Sequence, residues 1–155
     1  KKNAKKNKVK CNIIQSDLFS FCKSKNILYD LIIDDVAAIS NIIAKKSNWY
    51  NKFIPHKCGD DGSKLTIKIL KESASRLRKR GLLIFPVISL SNYKKIVGFA
   101  QKKFKICKLI LEVEWPLPKY FDNKILVNLK KMRLISFKEK YGEKICFTRI
   151  YKVKN

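Results

Sequence analysis

Apolar and polar residues fall along this chain in blocks whose period switches between that of a strand and that of a helix. The sharpest block is the run Leu31, Ile32, Ile33, with Asp30 before it and Asp34 and Asp35 after it. An unbroken apolar run this short predicts a strand, over 28–33, buried on both faces as in a parallel sheet covered by helices. Upstream, residues 1–8 read as the frayed end of a basic surface helix, 9–14 as a short strand, and 18–21 as a brief turn. Downstream, Ile39, Ile42 and Ile43 suit one face of a short helix. Residues 48–61 are irregular, and Trp49, Tyr50, Phe53, Ile54 and Pro55 make them an aromatic loop, a candidate lid or substrate wall.

Residues 62–80 carry the clearest helical pattern. Leu65, Ile69, Leu70, Ala74 and Leu77 share a face, Asp61 or Ser63 can cap the start, and Gly81 supplies a stop. A second buried strand follows over 82–90, where Pro86 should end ladder pairing or mark a bulge. A helix over 92–104 rests on Tyr93, Ile96, Val97 and Ala100, and a strand over 106–115 is stopped by the WPLP segment. A short apolar stretch at 125–129 and a loop over 132–142 precede a last strand, 144–153, which alternates as a strand with one buried face should. The order strand, strand, helix, strand, helix, strand, strand is an α/β pattern. No helix is evident between the last two strands, so that pair can be antiparallel.

The chain of 155 residues fits one domain, and 46% hydrophobic with 31% charged residues excludes the disordered class. A net charge of +24 points towards nucleic acid, because Lys and Arg neutralise phosphates with little regard to sequence. The cations are mainly Lys in a chain rich in Asn and Ile, a bias that A/T-rich coding also produces. Cysteines at 11, 22, 58, 107 and 146 form no CxxC and are odd in number, which fits a reducing cytoplasm and neither a disulfide framework nor a metal site. The single His56 has no partner at ligand spacing. No run approaches the roughly 20 apolar residues of a spanning helix, and the opening KKNAKKNKVK lacks the core of a secretory signal.

Ligands of open α/β sheets bind at the carboxyl ends of strands, so carboxylates following a buried run are placed for chemistry. Asp34 and Asp35 stand there, though the same residues also suit a turn or a helix cap.

The segments KNAKKN, SDLF, YDLIIDDV, GDDG and LRKRGLLIFPV, in that order and spacing, give the stretch from about residue 2 to residue 118 a resemblance to a known family. It resembles the second two thirds of a class I S-adenosylmethionine-dependent methyltransferase, in the branch acting on ribosomal RNA, ribosomal protein or release factors. The resemblance implies an incomplete Rossmann-like sheet, mostly parallel with an antiparallel C-terminal strand pair, in a single partial domain over 1–155. It also implies S-adenosyl-L-methionine as cofactor and RNA or a translation-related protein as methyl acceptor. Asp17 with Leu18 matches the acidic motif that holds the cofactor's adenine edge. Asp34 and Asp35 match the catalytic motif after the fourth strand, where Asp34 and Val36 would also touch the cofactor. Asp61 and Trp115 fall on the substrate side.

Two departures limit the likeness. The motif DDVA lacks the paired prolines and aromatic platform of the enzymes that methylate amino groups. No glycine precedes Gly59, so the glycine-rich turn after the first strand is missing. The expectation is a C-terminal part of a longer product that binds the cofactor weakly or not at all, with residues 9–14 unpaired, paired directly on 28–33, or docked elsewhere. The competing reading is a non-catalytic basic α/β module that binds RNA or the ribosome through its Lys-rich face.

Overall fold

In the computed structural model, which describes residues 2–22, 26–36, 38–47, 49 and 57–155, the sheet is assembled from segments far apart in the chain. The elements run α1 (Lys2–Lys6), a 3-10 turn (Ser20–Cys22), β1 (Tyr29–Ile33), α2 (Asn41–Lys46), α3 (Lys64–Ala74), β2 (Leu77–Ile88), α4 (Tyr93–Lys103), β3 (Ile106–Pro116), α5 (Asn123–Lys131), β4 (Lys138–Lys140) and β5 (Glu143–Lys154). The strand order is β1-β2-β5-β3, with β4 also on β5. β1 pairs parallel with β2, whereas β5 runs against β2, β3 and β4. β5 therefore opposes the other four described strands, giving an open, Rossmann-like α/β sheet whose final strand is reversed.

Alternation along the long strands divides the interior into two cores. Leu83, Phe85 and Val87 of β2 and Tyr151 and Val153 of β5 face α3 and α4, meeting Leu70, Ile96 and Ala100. On the opposite face, Cys146 and Trp115 lie under α2 and α5, with Ile43, Leu126, Leu129 and Phe137. Burial of these side chains supplies most of the stabilisation, at about 1.5–3 kcal/mol for each large apolar side chain. Two caps fix where helices begin. The Asn92 side chain accepts from the N–H of Lys95, and Asp122 accepts from those of Lys124 and Ile125.

Several sequence expectations are corrected. Residues 9–14 form no strand, and Val9, Ile13 and Ile14 are 56–60% exposed. β1 is an edge strand, not a central one buried on both faces. Ile32 packs into the α3/α4 core while Leu31 and Ile33 are 48% and 67% exposed, because no described residue covers that face or pairs with that edge. The helix expected over 62–80 ends at Ala74, and residues 77–81 open β2 instead, since the carbonyl of Arg76 already accepts the N–H of Tyr29. Gly81 is accordingly no helix stop. It lies in the irregular stretch where Tyr29 pairs with Leu77 but Leu31 pairs with Leu82, and a Cβ there would stand 2.6 Å from the Tyr29 carbonyl oxygen. The stretch 125–129 is helical, so a helix does separate β3 from β5.

Pro86 behaves differently on its two sides. Pairing with β5 continues through Pro86↔Ile150 without a shift. The Asp34 N–H donates to the Ile84 carbonyl, so Ile84 and, two residues on, Pro86 turn their backbone groups towards β1. The next parallel bond would need an N–H on Pro86, which has none. The ladder with β1 therefore stops at Asp34.

Candidate active site at the carboxyl ends of the parallel strands

Because the parallel ladder ends at Asp34, the chain leaves the sheet there and the side chain turns inward. Asp34 is buried, at 8% exposure. One oxygen, Oδ1, accepts the N–H of Val36 at 2.9 Å, while Oδ2 has no hydrogen-bond partner among the described residues. Burial raises the carboxyl pKa from 3.8 to about 6, the Val36 N–H opposes the rise, and the adjacent Asp35 charge adds to it. Asp35 itself is exposed and Val36 half-buried. An acid that ionises near neutrality with one oxygen uncommitted can accept a proton, but Oδ2 is sealed from solvent and has to be uncovered before a group can reach it.

Further along, beside the end of β2, small residues meet at tight approach. The segment after β1 lies beside the end of β2 through the Ser40 N–H to the Leu90 carbonyl, and the Ser40 hydroxyl donates to the Asp60 carbonyl at 2.5 Å. Gly62, at φ +69°, touches both layers. A Cβ on it would meet the Ile39 carbonyl carbon and the Ser40 nitrogen, each at 2.5 Å, so this position accepts only glycine without displacing backbone. Ser89, wholly buried, accepts the N–H of Phe147 on its hydroxyl and so ties β5 to the end of β2.

The remaining expected site residues lie elsewhere in the fold. Asp61 accepts from the Ser63 N–H and hydroxyl and pairs with Lys95 at 2.8 Å. Burial alone would raise its pKa, but the Lys95 ammonium and Ser63 hold it below the usual value. Its backbone carbonyl accepts the N–H of Asn92, so Asp61 fastens the loop before α3 to the start of α4. Trp115 is half-buried on the α2/α5 face, donating its indole N–H to the Thr148 hydroxyl at 3.0 Å, with Trp49 edge-on at 5.8 Å. Asp17 is on the surface with its side chain 78% exposed, paired with Lys68 at 3.3 Å, and Leu18 is half-buried at φ +50°. The aromatic loop expected over 48–61 falls largely, and His56 wholly, outside the described residues. Trp49 is the described part of its aromatic set, and it also packs edge-on against Phe121 at 5.4 Å.

Among the described residues, no His, Cys, Asp and Glu cluster could hold a metal ion, and no helix is long and apolar enough to cross a membrane. The cysteines are thiols, with no disulfide among the described residues. Sequence reasoning missed Ser40 and Ser89, whose importance comes from contacts between segments 20 or more residues apart. It also missed a basic pocket beside α4, lined in part by Lys94, Lys130 and Arg133.

No protein-family model and no curated protein matches the chain. Among solved structures, the chain is similar to the precorrin-6y C5,15-methyltransferase of Geobacter metallireducens GS-15. The identity is 13%, over 57% of this chain and 39% of that one, with a TM-score of 0.28. A likeness at that level is too loose to carry an argument about activity.

Proposed function

We propose that this chain is part of an S-adenosylmethionine-dependent methyltransferase in which Asp34 takes the proton lost by the methyl acceptor. The observation that carries the reading is the Asp34 carboxyl itself: buried at the carboxyl end of a parallel strand, one oxygen uncommitted, ionising at about pH 6. Burying a charge-bearing group without a full set of partners costs stability, and such groups concentrate at functional sites. The reversed final strand, running against both β2 and β3, agrees with the sheet that the sequence resemblance implies.

The residues present fit the cofactor only in part. Asp34 is suited to the reacting end. Asp17, proposed for the adenine edge with Leu18, is exposed and paired with Lys68 in the chain alone, and no glycine-rich turn occurs before Gly59. The cofactor's chemistry when bound is the supply of a methyl group from a sulfonium. What this chain contributes is a base. A methyl acceptor seated against Asp34 would give up its proton to this carboxyl, whose Oδ2 is enclosed in the folded chain and would have to be opened to the acceptor, while the Val36 N–H on Oδ1 keeps the carboxyl oriented. The acceptor we propose is RNA or a translation-related protein.

The test uses the longest natural product that carries this sequence. Isolated from its source and incubated with methyl-labelled S-adenosylmethionine and the source's own RNA and protein, it should transfer label to one of those fractions. Asp34→Asn should cut transfer by about 100-fold or more, the usual range for loss of a general base. Absence of transfer, or an undiminished Asp34→Asn variant, overturns the reading. RNA binding without transfer would establish the non-catalytic basic module instead.

A further inference from the structure

A depression of about 160 Å³ opens at the carboxyl end of β2, between the start of α4 and the loop that follows α5. Its wall includes Lys94, Lys130, Arg133, Ser91 and Ser136, and none of its lining residues is acidic. None of the three cations has a carboxylate partner among the described residues, whereas Lys68, Arg78, Lys95, Lys138 and Arg149 each have one. The nearby acid Asp61 is already committed to Lys95 and Ser63. The start of α4 is capped by Asn92, so the cations and not the helix dipole define the depression.

Arg133 is held in place by unusual means. The N–H of Arg133 donates to the Lys130 carbonyl and that of Leu134 to the Leu129 carbonyl, the pair of bonds that closes a helix through a left-handed residue. That residue is normally glycine, yet here it is Arg133 at φ +59°. The guanidinium is thus presented from a conformation that a long side chain adopts at a cost. Lys130 lies with its ammonium 4.2 Å from the Phe137 ring centre, which steadies the second cation.

We infer that this depression is a phosphate subsite that receives the backbone of single-stranded RNA. A guanidinium fork with two ammonium groups matches the charge and oxygen geometry of a phosphodiester, with the Ser136 hydroxyl beside them, since that of Ser91 already donates to the Ile88 carbonyl. Three uncompensated cations in one concavity stay unpaired unless an anion enters. The inference rests on the proposed function and deepens it by naming a phosphate-bearing acceptor bound at the carboxyl end of β2, the end towards which β1 also delivers Asp34. It is measured without cofactor, so its failure leaves the methyltransferase reading standing, and failure of methyl transfer leaves phosphate binding standing.

The test is fluorescence anisotropy of this chain with a labelled ten-nucleotide oligouridylate, run across salt concentrations. Arg133→Gly should weaken binding about fivefold and Lys94→Gln with Arg133→Gly at least tenfold, with the logarithmic salt slope falling by about 0.7 for each phosphate that is no longer neutralised. The charge-matched control, Lys71→Gln with Lys79→Gln on α3 and at the start of β2, outside the depression, should stay within twofold. Inorganic phosphate should compete with the oligonucleotide in the parent and much less in Arg133→Gly. Because glycine relieves the left-handed conformation, Arg133→Gly should melt at the same or a higher temperature, which separates lost binding from lost folding. Equal losses in pocket and control variants would overturn the subsite in favour of diffuse charge. Equal competition by polyglutamate of matched charge would overturn it in favour of an acidic protein.

Discussion

Replacing Asp34 by Asn should stabilise the folded chain, and only where the acid is charged. The folded pKa of about 6 lies roughly two units above the ordinary 3.8, so the unfolded chain releases this proton first. Between about pH 4 and pH 6 the folded state binds more protons than the unfolded one, and stability falls as pH rises. The penalty is absent below pH 4 and complete above pH 6, where two units correspond to about 3 kcal/mol. Asn keeps the oxygen that accepts the Val36 N–H and places an amide nitrogen where Oδ2 has no partner. A protonated acid leaves an equivalent orphan there, so the two side chains are near equivalents at pH 4 and the difference between them isolates ionisation. Urea denaturation of parent and variant at pH 4, 5, 6 and 7.5, followed by circular dichroism, should show Asp34→Asn gaining little at pH 4 and about 2–3 kcal/mol at pH 7.5. A difference that stays flat with pH, or that turns against Asn as pH rises, refutes the buried-charge account and removes the chief support for Asp34 as a base.

Two further substitutions probe the packing at the carboxyl end of β2. Gly62→Ala forces a Cβ to within 2.5 Å of the Ile39 and Ser40 backbones at φ +69°, and should cost at least about 2 kcal/mol in the same urea assay. Ser89→Ala removes the hydroxyl that accepts the Phe147 N–H in a fully buried position. It should cost about 1–3 kcal/mol, the penalty of an orphaned buried donor, with Ser89→Thr recovering part of the loss.

The parts of the fold that were legible in the sequence are those decided by neighbours in the chain. α4 was legible because Asn92 caps it, β3 because a proline segment stops it, and β5 because its side chains alternate. The start of β2 was hidden, since Leu77, Arg78, Lys79 and Arg80 continue a helical pattern and become strand only by pairing with Tyr29, some fifty residues away. α5 was hidden because its apolar run is short and its identity rests on one capping carboxylate, Asp122. The same division holds at the site. The position of Asp34 after an apolar run was readable, but its burial depends on the Ile84 carbonyl and the missing N–H of Pro86. Nothing in the sequence around Arg133 announces a left-handed residue, because that conformation is imposed by bonds closing the end of α5.

The apolar run at β1 was the strongest signal in the sequence, and it lies at an edge with Leu31 and Ile33 exposed. Alternation makes the consequence measurable. The Asp34 N–H bonds to β2, so that of Ile32 also points to β2, and those of Leu31 and Ile33 point away to the open edge. In this chain alone, the Ile32 and Asp34 amides should exchange with solvent deuterium slowly and the Leu31 and Ile33 amides at close to the rate of unstructured peptide. Under the methyltransferase reading, cofactor-binding strands belong beside this edge, and in the active molecule Leu31 and Ile33 should gain protection by a factor of about 100 or more. Equal exchange of all four amides would show that β1 is not held by β2 at all. Slow exchange at Leu31 and Ile33 in this chain alone would show that the edge is already covered, and would remove the reason for an exposed apolar pair beside a candidate catalytic acid.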